Sequence, residues 1–288
     1  MNTTGSDMHQ LDPAPYDLPA LERALVGTVY AGKLHYTPTT DSTNTDALNA
    51  GRTDAPDGSV YFADEQLLGR GRGNHGWHSP VGEGLYVSVL LRPGWPARRV
   101  HLLPLAAGLA AAGAVSTAAS LTIDLRWPND LLIGTRKVGG ILVEAKTDGD
   151  RIAFAVVGIG INVHQTEFNP GLSTAGTSLA LETTRLVSRQ ALMIELLHRL
   201  AEEASALADP DAATRIPARL EAASTWVRGR RIDAHGPQAC TGVTEGLDAH
   251  GFLLVRTTGG LVTVQTGGVR EPGASASQQI KSTSADIS

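Results

Sequence analysis

The sequence predicts an α+β fold, a mixed β-sheet with flanking helices followed by a small C-terminal all-β barrel. Three observations carry it. Up to about residue 223, β-branched and aromatic runs bounded by Gly and Pro are interleaved with helical stretches, and two of the strand runs meet across a hairpin signal. An alanine-rich segment, 100–119, reads as a long buried helix. After Ser224 the pattern changes to short strand-like runs separated by glycine turns, the signature of a small barrel. The 288 residues are 42 % hydrophobic, enough for a sizeable core, and 18 % charged, which excludes wholesale disorder.

The elements follow in order. Residues 1–15 are polar, carry two prolines and read as a flexible leader; no basic stretch precedes an apolar run, so this is not a signal peptide. Residues 18–26 have helical periodicity. A strand at 33–36 leads into the polar run 37–44, where Asp41 or Ser42 can cap a helix through 46–49. Strands at 59–63 and 85–91 flank the glycine-dense loop 69–76. The most apolar stretch, 102–121, is interrupted by Pro104 and several Ser and Thr, which fits a buried helix better than a membrane span. Strands at 123–127, 141–146 and 152–159 come next, the last two joined by a turn of Asp148, Gly149 and Asp150. Helices at 188–207 and 212–223 are separated by Asp209 and Pro210. Strands at 230–234, 240–245, 252–257 and 261–265 form the barrel. The chain thus divides into a leader (1–15), a main domain (16–223), a barrel (224–272) and a Ser/Ala/Gln-rich disordered tail (273–288).

The charge balance, 24 basic against 29 acidic residues, gives −5 and opposes a general polyanion binder. Cys240 is the single cysteine, so there is no intramolecular disulfide and no cysteine-based zinc site. That usage fits a reducing, cytoplasmic setting.

Chemistry concentrates in five segments. In Gly69-Arg70-Gly71-Arg72-Gly73-Asn74-His75-Gly76-Trp77 the glycines admit close backbone approach and the arginines offer forked cationic donors, a combination suited to phosphate or carboxylate. Taken alone, it reads equally as a solvated turn. Residues 71–76 also satisfy G-x-G-x-x-G, but a strand and not a helix follows, which removes the dinucleotide fingerprint. No Walker A loop is present, since Leu34 follows Gly32-Lys33. Arg126-Trp127-Pro128-Asn129-Asp130 puts an amide beside a carboxylate, able to meet hydrated Mg²⁺ and phosphate or simply to form an Asx turn. Lys137 stands before Gly139 and Gly140, a point cation over backbone that can lie flat against a ligand. Gly158-Ile159-Gly160-Ile161-Asn162 leaves a slot for a planar group or forms a glycine bulge. Asp41-Ser42-Thr43-Asn44 is a ligand contact or a helix cap.

In sequence order, Ser42-Thr43-Asn44, Glu65-Gln66 ahead of Gly69-Arg70-Gly71-Arg72, Trp77-His78-Ser79-Pro80, Trp127-Pro128-Asn129-Asp130, Arg136-Lys137 ahead of Gly139-Gly140-Ile141-Leu142-Val143-Glu144, and Gly158 to Val163 closely resemble the biotin protein ligase family. The resemblance covers about 36–163 and, more loosely, the barrel to about 272. It implies a class II aminoacyl-tRNA synthetase-like catalytic domain with an SH3-like barrel. It also implies activation of biotin with MgATP to biotinyl-5′-AMP, then transfer to one lysine of a biotin carboxyl carrier domain in a biotin-dependent carboxylase such as acetyl-CoA carboxylase. The physics agrees: two unit charges about 4 Å apart repel by about 1 kcal/mol in water but about 4 at an effective dielectric near 20, so joining a carboxylate to a phosphate needs cations beside it.

Carried over by residue, the resemblance gives Ser42, Thr43, Asn44 and Gln66 to the biotin head group. Gly69, Arg70, Gly71 and Arg72 form the loop that closes over biotin and the adenylate, with Arg72 restraining the intermediate and Trp77 packing the loop's far end. Lys137 is the cation at the carboxylate and α-phosphate, with Gly140 and Gly158 as close-approach backbone. Arg126, Asn129 and Asp130 form the nucleotide and metal face, and Asn162 lies on the adenine side. Asp130 is also a candidate to receive the acceptor lysine's proton. Three departures stand out. Arg126 replaces the usual lysine, residues 73–76 lack the further basic residues common after the loop, and Leu67 and Leu68 replace a smaller pair. Too few residues precede Ser42 for a winged-helix domain, so the resemblance is to the ligase-only class, without sequence-specific DNA binding; it leaves a homodimer open. The rivals are a lipoate or octanoate enzyme of the same superfamily and an RNA-binding module, the latter opposed by the net charge.

Overall fold

The computed structural model describes residues 15–273. The predicted leader and tail, apart from Pro15 and Gly273, lie outside the described residues.

A seven-stranded sheet organises the first part. In chain order the elements are α1 (Leu18–Ala24), β1 (Leu34–Thr40), α2 (Thr43–Arg52), β2 (Ser59–Gln66), β3 (Gly84–Leu91), α3 (Leu103–Ala119), β4 (Asp124–Arg126), β5 (Asp130–Ile133), β6 (Arg136–Asp148), β7 (Arg151–Asn162), α4 (Leu179–Glu182), α5 (Arg189–Ala206) and α6 (Ala212–Ala222). The strand order is β1-β2-β3-β7-β6-β5-β4. Only β1 and β2 pair in parallel, as they must when a helix, α2, makes the crossover between them; the other pairs are antiparallel.

Side-chain alternation along β7 separates the two faces of this sheet. Ala155, Val157, Ile159 and Ile161 enter the main core, where α3 packs, while Phe154, Val156, Gly158 and Gly160 face α2 and the loop 69–77. β3 obeys the same rule, with Leu85, Val87, Val89 and Leu91 in the core and Ser88 on the other face. Central strands covered on both sides read as nearly continuous apolar runs, which is why 85–91 and 152–159 were legible.

Helix α3 is covered by the sheet and by α5 and α6. Its α-helical part starts at Leu103, not at residue 100, after a 3₁₀ turn at Ala97–Leu102; Pro104 fits the first turn because no N–H is needed there. Together, Ala97–Ala119 is the one helical stretch among the described residues long and apolar enough to cross a membrane, and most of it is buried against its neighbours. Ser42 occupies the N-cap position of α2, but its side chain makes no capping hydrogen bond. β1 runs on through Thr40 because its threonines pair along β2. The hairpin at Gly149 and Asp150 joins Asp148 to Arg151 as predicted.

The second sheet contains β8 (Arg228–His235), β9 (Cys240–Leu247), β10 (Leu253–Thr257), β11 (Gly260–Val264) and β12 (Gly268–Arg270), all antiparallel in the order β11-β10-β9-β8-β12. Its apolar residues Ile232, Leu253, Val255 and Val264, with Trp226 and Val227 just before β8, join the same buried cluster as α3 and the first sheet. Trp127 Nε1 donates to the Gly251 carbonyl at 2.9 Å, tying the first sheet's edge to a turn of the second.

Candidate active site

One end of the site is a neutral hydrogen-bond network where α2 begins. Ser42, Thr43 and Asn44 are all buried there. Gln66, at the end of β2, accepts from Thr43 N at 2.9 Å and from Thr43 Oγ1 at 3.1 Å through its Oε1. The Thr43 and Ser88 hydroxyls are 2.8 Å apart, and Ser88 Oγ donates to Asn44 Oδ1 at 2.7 Å. Asn44 Nδ2 donates to Glu144 Oε2 at 3.0 Å, and the same carboxylate takes a fork from Arg70 at 2.9 and 2.7 Å. Ser88 was missed by sequence reasoning, and Glu144 was quoted in a motif without a role. The alternation along β3 could have found Ser88, a lone hydroxyl in an apolar run.

Two glycines of β7 make room for this side of the site. A Cβ on Gly158 would lie 1.9 Å from Asn44 Oδ1, and one on Gly160 would lie 2.6 Å from Trp77 Nε1. The slot expected at Gly158 therefore holds the Asn44 carboxamide. Trp77, at the end of the loop, lays its ring on the sheet at Gly160. Lys137 Nζ is 5.5 Å from its ring centre, and its indole N–H is buried with no partner among the described groups.

The loop itself is a tight hairpin. Trp77 N donates to Gly69 O at 2.8 Å and Gly71 N to His75 O at 2.7 Å. Gly69 has to be glycine, since a Cβ there would meet Trp77 O at 2.3 Å, and Gly73 adopts φ +61°. Arg72 Nη1 donates to Asn129 Oδ1 at 3.2 Å and to Gly267 O at 2.8 Å, so the loop cation reaches the turn before β12. Burial lowers the Arg72 pKa, and Asp130 partly offsets it.

The other end of the site is ionic. Lys137 Nζ stands 2.5 Å from Asp130 Oδ1. Asp130 Oδ2 accepts from Arg126 Nε and Nη2 at 3.0 and 2.6 Å. Burial pushes the Asp130 carboxyl up, but Lys137 and Arg126 outweigh that and hold it below the ordinary carboxylate value. Both Asp130 carboxylate oxygens are thus paired with cations. Among the described residues no group of three or more His, Cys, Asp or Glu is placed to hold a metal ion.

Asn129 accepts from Ile141 N at 3.0 Å and returns Nδ2 to Ile141 O at 2.7 Å, which fixes the turn into β5. Gly140 lies under the Lys137 side chain, whose Cε would be 3.5 Å from an added Cβ. Asn162 Nδ2 donates to Thr177 O at 2.9 Å, and Lys137 N and O bond Ala175 O and Thr177 N at 2.8 and 2.9 Å. The segment 175–177 beside Lys137 was not foreseen; no periodicity marks it. A cleft of about 230 Å³ separates the two sheets next to this end, lined by Arg72, His101, Trp127, Asn129, Phe252 and Gln265 among others.

The chain is similar to known proteins in sequence and in fold. Residues 36–162 match the biotin/lipoate A/B protein ligase family. A biotin–[acetyl-CoA-carboxylase] ligase of Mycobacterium tuberculosis is 31 % identical over 273 residues, covering 92 % of this chain and 98 % of that protein. This chain belongs to the biotin protein ligase family. A second such ligase, from Paracoccus denitrificans, is 32 % identical over 231 residues, 77 % of this chain and 93 % of its own length. The bifunctional ligase/repressor BirA of Bacillus subtilis is 36 % identical over 166 residues; the match spans 57 % of this chain and about half, 51 %, of that relative. Among solved structures, the biotin protein ligase from Aquifex aeolicus in complex with biotin and ATP aligns with a TM-score of 0.71 at 27 % identity, covering 83 % of this chain and 98 % of that one.

Proposed function

We propose that this ligase-family chain joins biotin to the α-phosphate of ATP, giving biotinyl-5′-AMP and pyrophosphate. It then transfers biotin to a lysine of a biotin carboxyl carrier domain in a biotin-dependent carboxylase such as acetyl-CoA carboxylase. The observation that carries this reading is the pairing, on one glycine-paved sheet face, of a buried amide and hydroxyl network with a lysine and an arginine. Proton counting supports a ureido ring at the neutral end. Ser88 gives its only O–H to Asn44, and Thr43 has one O–H for two acceptors, so an acceptor lone pair is left for a ligand N–H.

At the other end the biotin carboxylate attacks the α-phosphorus and pyrophosphate leaves with the bonding electrons. Lys137, aimed by Asp130, lies beside the two anions and stabilises charge on the phosphoryl oxygens. Arg72 exchanges Asn129 and Gly267 for the phosphate and so retains the adenylate. Trp77 offers an aromatic face beside Lys137, and Asn162 holds 177 against it. Magnesium accompanies ATP as part of the substrate, bound through phosphates and water. In this reading 16–223 is the synthetase-like catalytic domain, 224–272 is the SH3-like barrel, and the reaction is cytoplasmic. The test offers biotin or lipoate with MgATP and follows pyrophosphate release; release with biotin alone supports the reading, and release with lipoate alone overturns it.

A further inference from the structure

We propose that Trp226 is a positioning residue for Lys137, acting through Arg126 and Asp130; the inference rests on the adenylation reaction proposed above. The chain entering the second sheet runs alongside β4, and three consecutive residues on each side meet. Thr225 bonds the Asp124 carboxylate through N and Oγ1 at 2.9 and 2.6 Å. Ser224 Oγ donates to Leu125 O at 2.5 Å. The Arg126 guanidinium carbon lies 5.3 Å from the centre of the Trp226 ring.

Trp226 is only 3 % exposed, and its indole N–H has no partner among the described groups. A buried donor left unpaired is unfavourable, so the packing of the ring faces has to offset it. One cation over that ring is Arg230, at 3.7 Å, fixed in turn by Glu271 at 2.6 Å and Thr225 Oγ1 at 3.1 Å. A ring beneath a guanidinium that is itself tied down is a fixed platform for Arg126.

Arg126 then has little freedom. Nε and Nη2 both bond Asp130 Oδ2, and Nη2 also bonds Thr174 Oγ1 at 2.9 Å. With Oδ2 held, the direction of Oδ1 is set, and Oδ1 is the atom that meets the Lys137 ammonium. A planar guanidinium can lie over an indole while forking onto a carboxylate oxygen; a lysine ammonium supplies a point charge instead. The arginine at position 126 is what makes Trp226 effective.

The test measures steady-state adenylation in the full-length chain for wild type, Trp226→Leu, Trp226→Phe and Arg126→Lys, with both double variants and thermal melting as the folding control. Trp226→Leu should lower kcat by about ten-fold and Trp226→Phe by about three-fold, the span of a partly desolvated cation–π contact. The KM for biotin should stay within about two-fold, since uniform binding is untouched. In the Arg126→Lys background either Trp226 change should cost much less than in wild type. Additive losses, or a folded Trp226→Leu with normal kcat, overturn the assignment; if the leucine variant does not fold, the phenylalanine cycle decides by the same criterion. A wild-type chain that makes no adenylate overturns the proposed reaction itself, which additive losses in an active chain do not.

Discussion

At the α2 end of the site, the buried Thr43, Asn44 and Ser88 and the half-buried Gln66 are neutral and bonded to one another within a few residues of sheet and helix. At the Lys137 end, four ions converge from four places: Arg72 from the loop, Arg126 from β4, Asp130 from β5 and Lys137 from β6. The neutral groups hold one another in place, which suits them to reading shape and hydrogen-bond pattern. The ionic groups pair with one another, so in the proposed reaction an anion competes with those pairs. In the proposed reaction, recognition and chemistry belong to different physical regimes on one sheet face.

The largest expected effect breaks the ionic end. Lys137→Ala leaves Asp130 with one cation and removes the charge facing the reacting anions, and should slow pyrophosphate exchange by about a hundred-fold or more. Near-normal exchange would show that Lys137 is not the cation of the reaction. Next comes the neutral end. Gly158→Ala drives a methyl group into the Asn44 carboxamide, 1.9 Å away, and should weaken biotin binding by calorimetry at least about ten-fold while leaving ATP binding nearly unchanged. Equal loss for both ligands would erase the distinction between the two ends.

Arg72→Gly should have a subtler signature. Adenylate formation should persist at reduced rate, while biotinyl-5′-AMP should escape several-fold faster and label bystander lysines. Retention equal to wild type would remove the latch role.

The smallest effect concerns pH. Asp130 has its carboxyl held below its ordinary 3.8 by Lys137 and Arg126 against the opposing effect of burial. A depressed carboxyl adds stability above its unfolded value and loses it as the pH falls through the folded value. Asp130→Asn should therefore melt below wild type near pH ~7, with the gap closing only in the acid range below the ordinary carboxylate pKa. A gap that closes between about pH 5 and 6 would contradict the ion-pair geometry.

Much of the fold was legible because its central strands and α3 are buried on several sides, so composition alone marks them. β5, β12 and α4 escaped because each is four residues or shorter, with turn chemistry on one or both sides. At the site, residue types were readable and partners were not. Gly158 and Gly160 announced that something lies against β7, but only the register of β3, β7 and β6 brings Asn44 and Trp77 there. Asp130 looked like a free carboxylate, because the four-residue spacing to Arg126 does not reveal that β4 and β5 fold back as neighbours. Gly267 could not be foreseen as an Arg72 partner, since 195 residues separate them.

The most direct measurement incubates the purified chain with biotin, MgATP and a biotin carrier domain, and follows biotinyl-5′-AMP by chromatography and the carrier by mass spectrometry. The expected result is adenylate formed in a burst, then one biotin on a single carrier lysine. Intact biotin and an unmodified carrier, from a folded chain with ATP in excess, would contradict it.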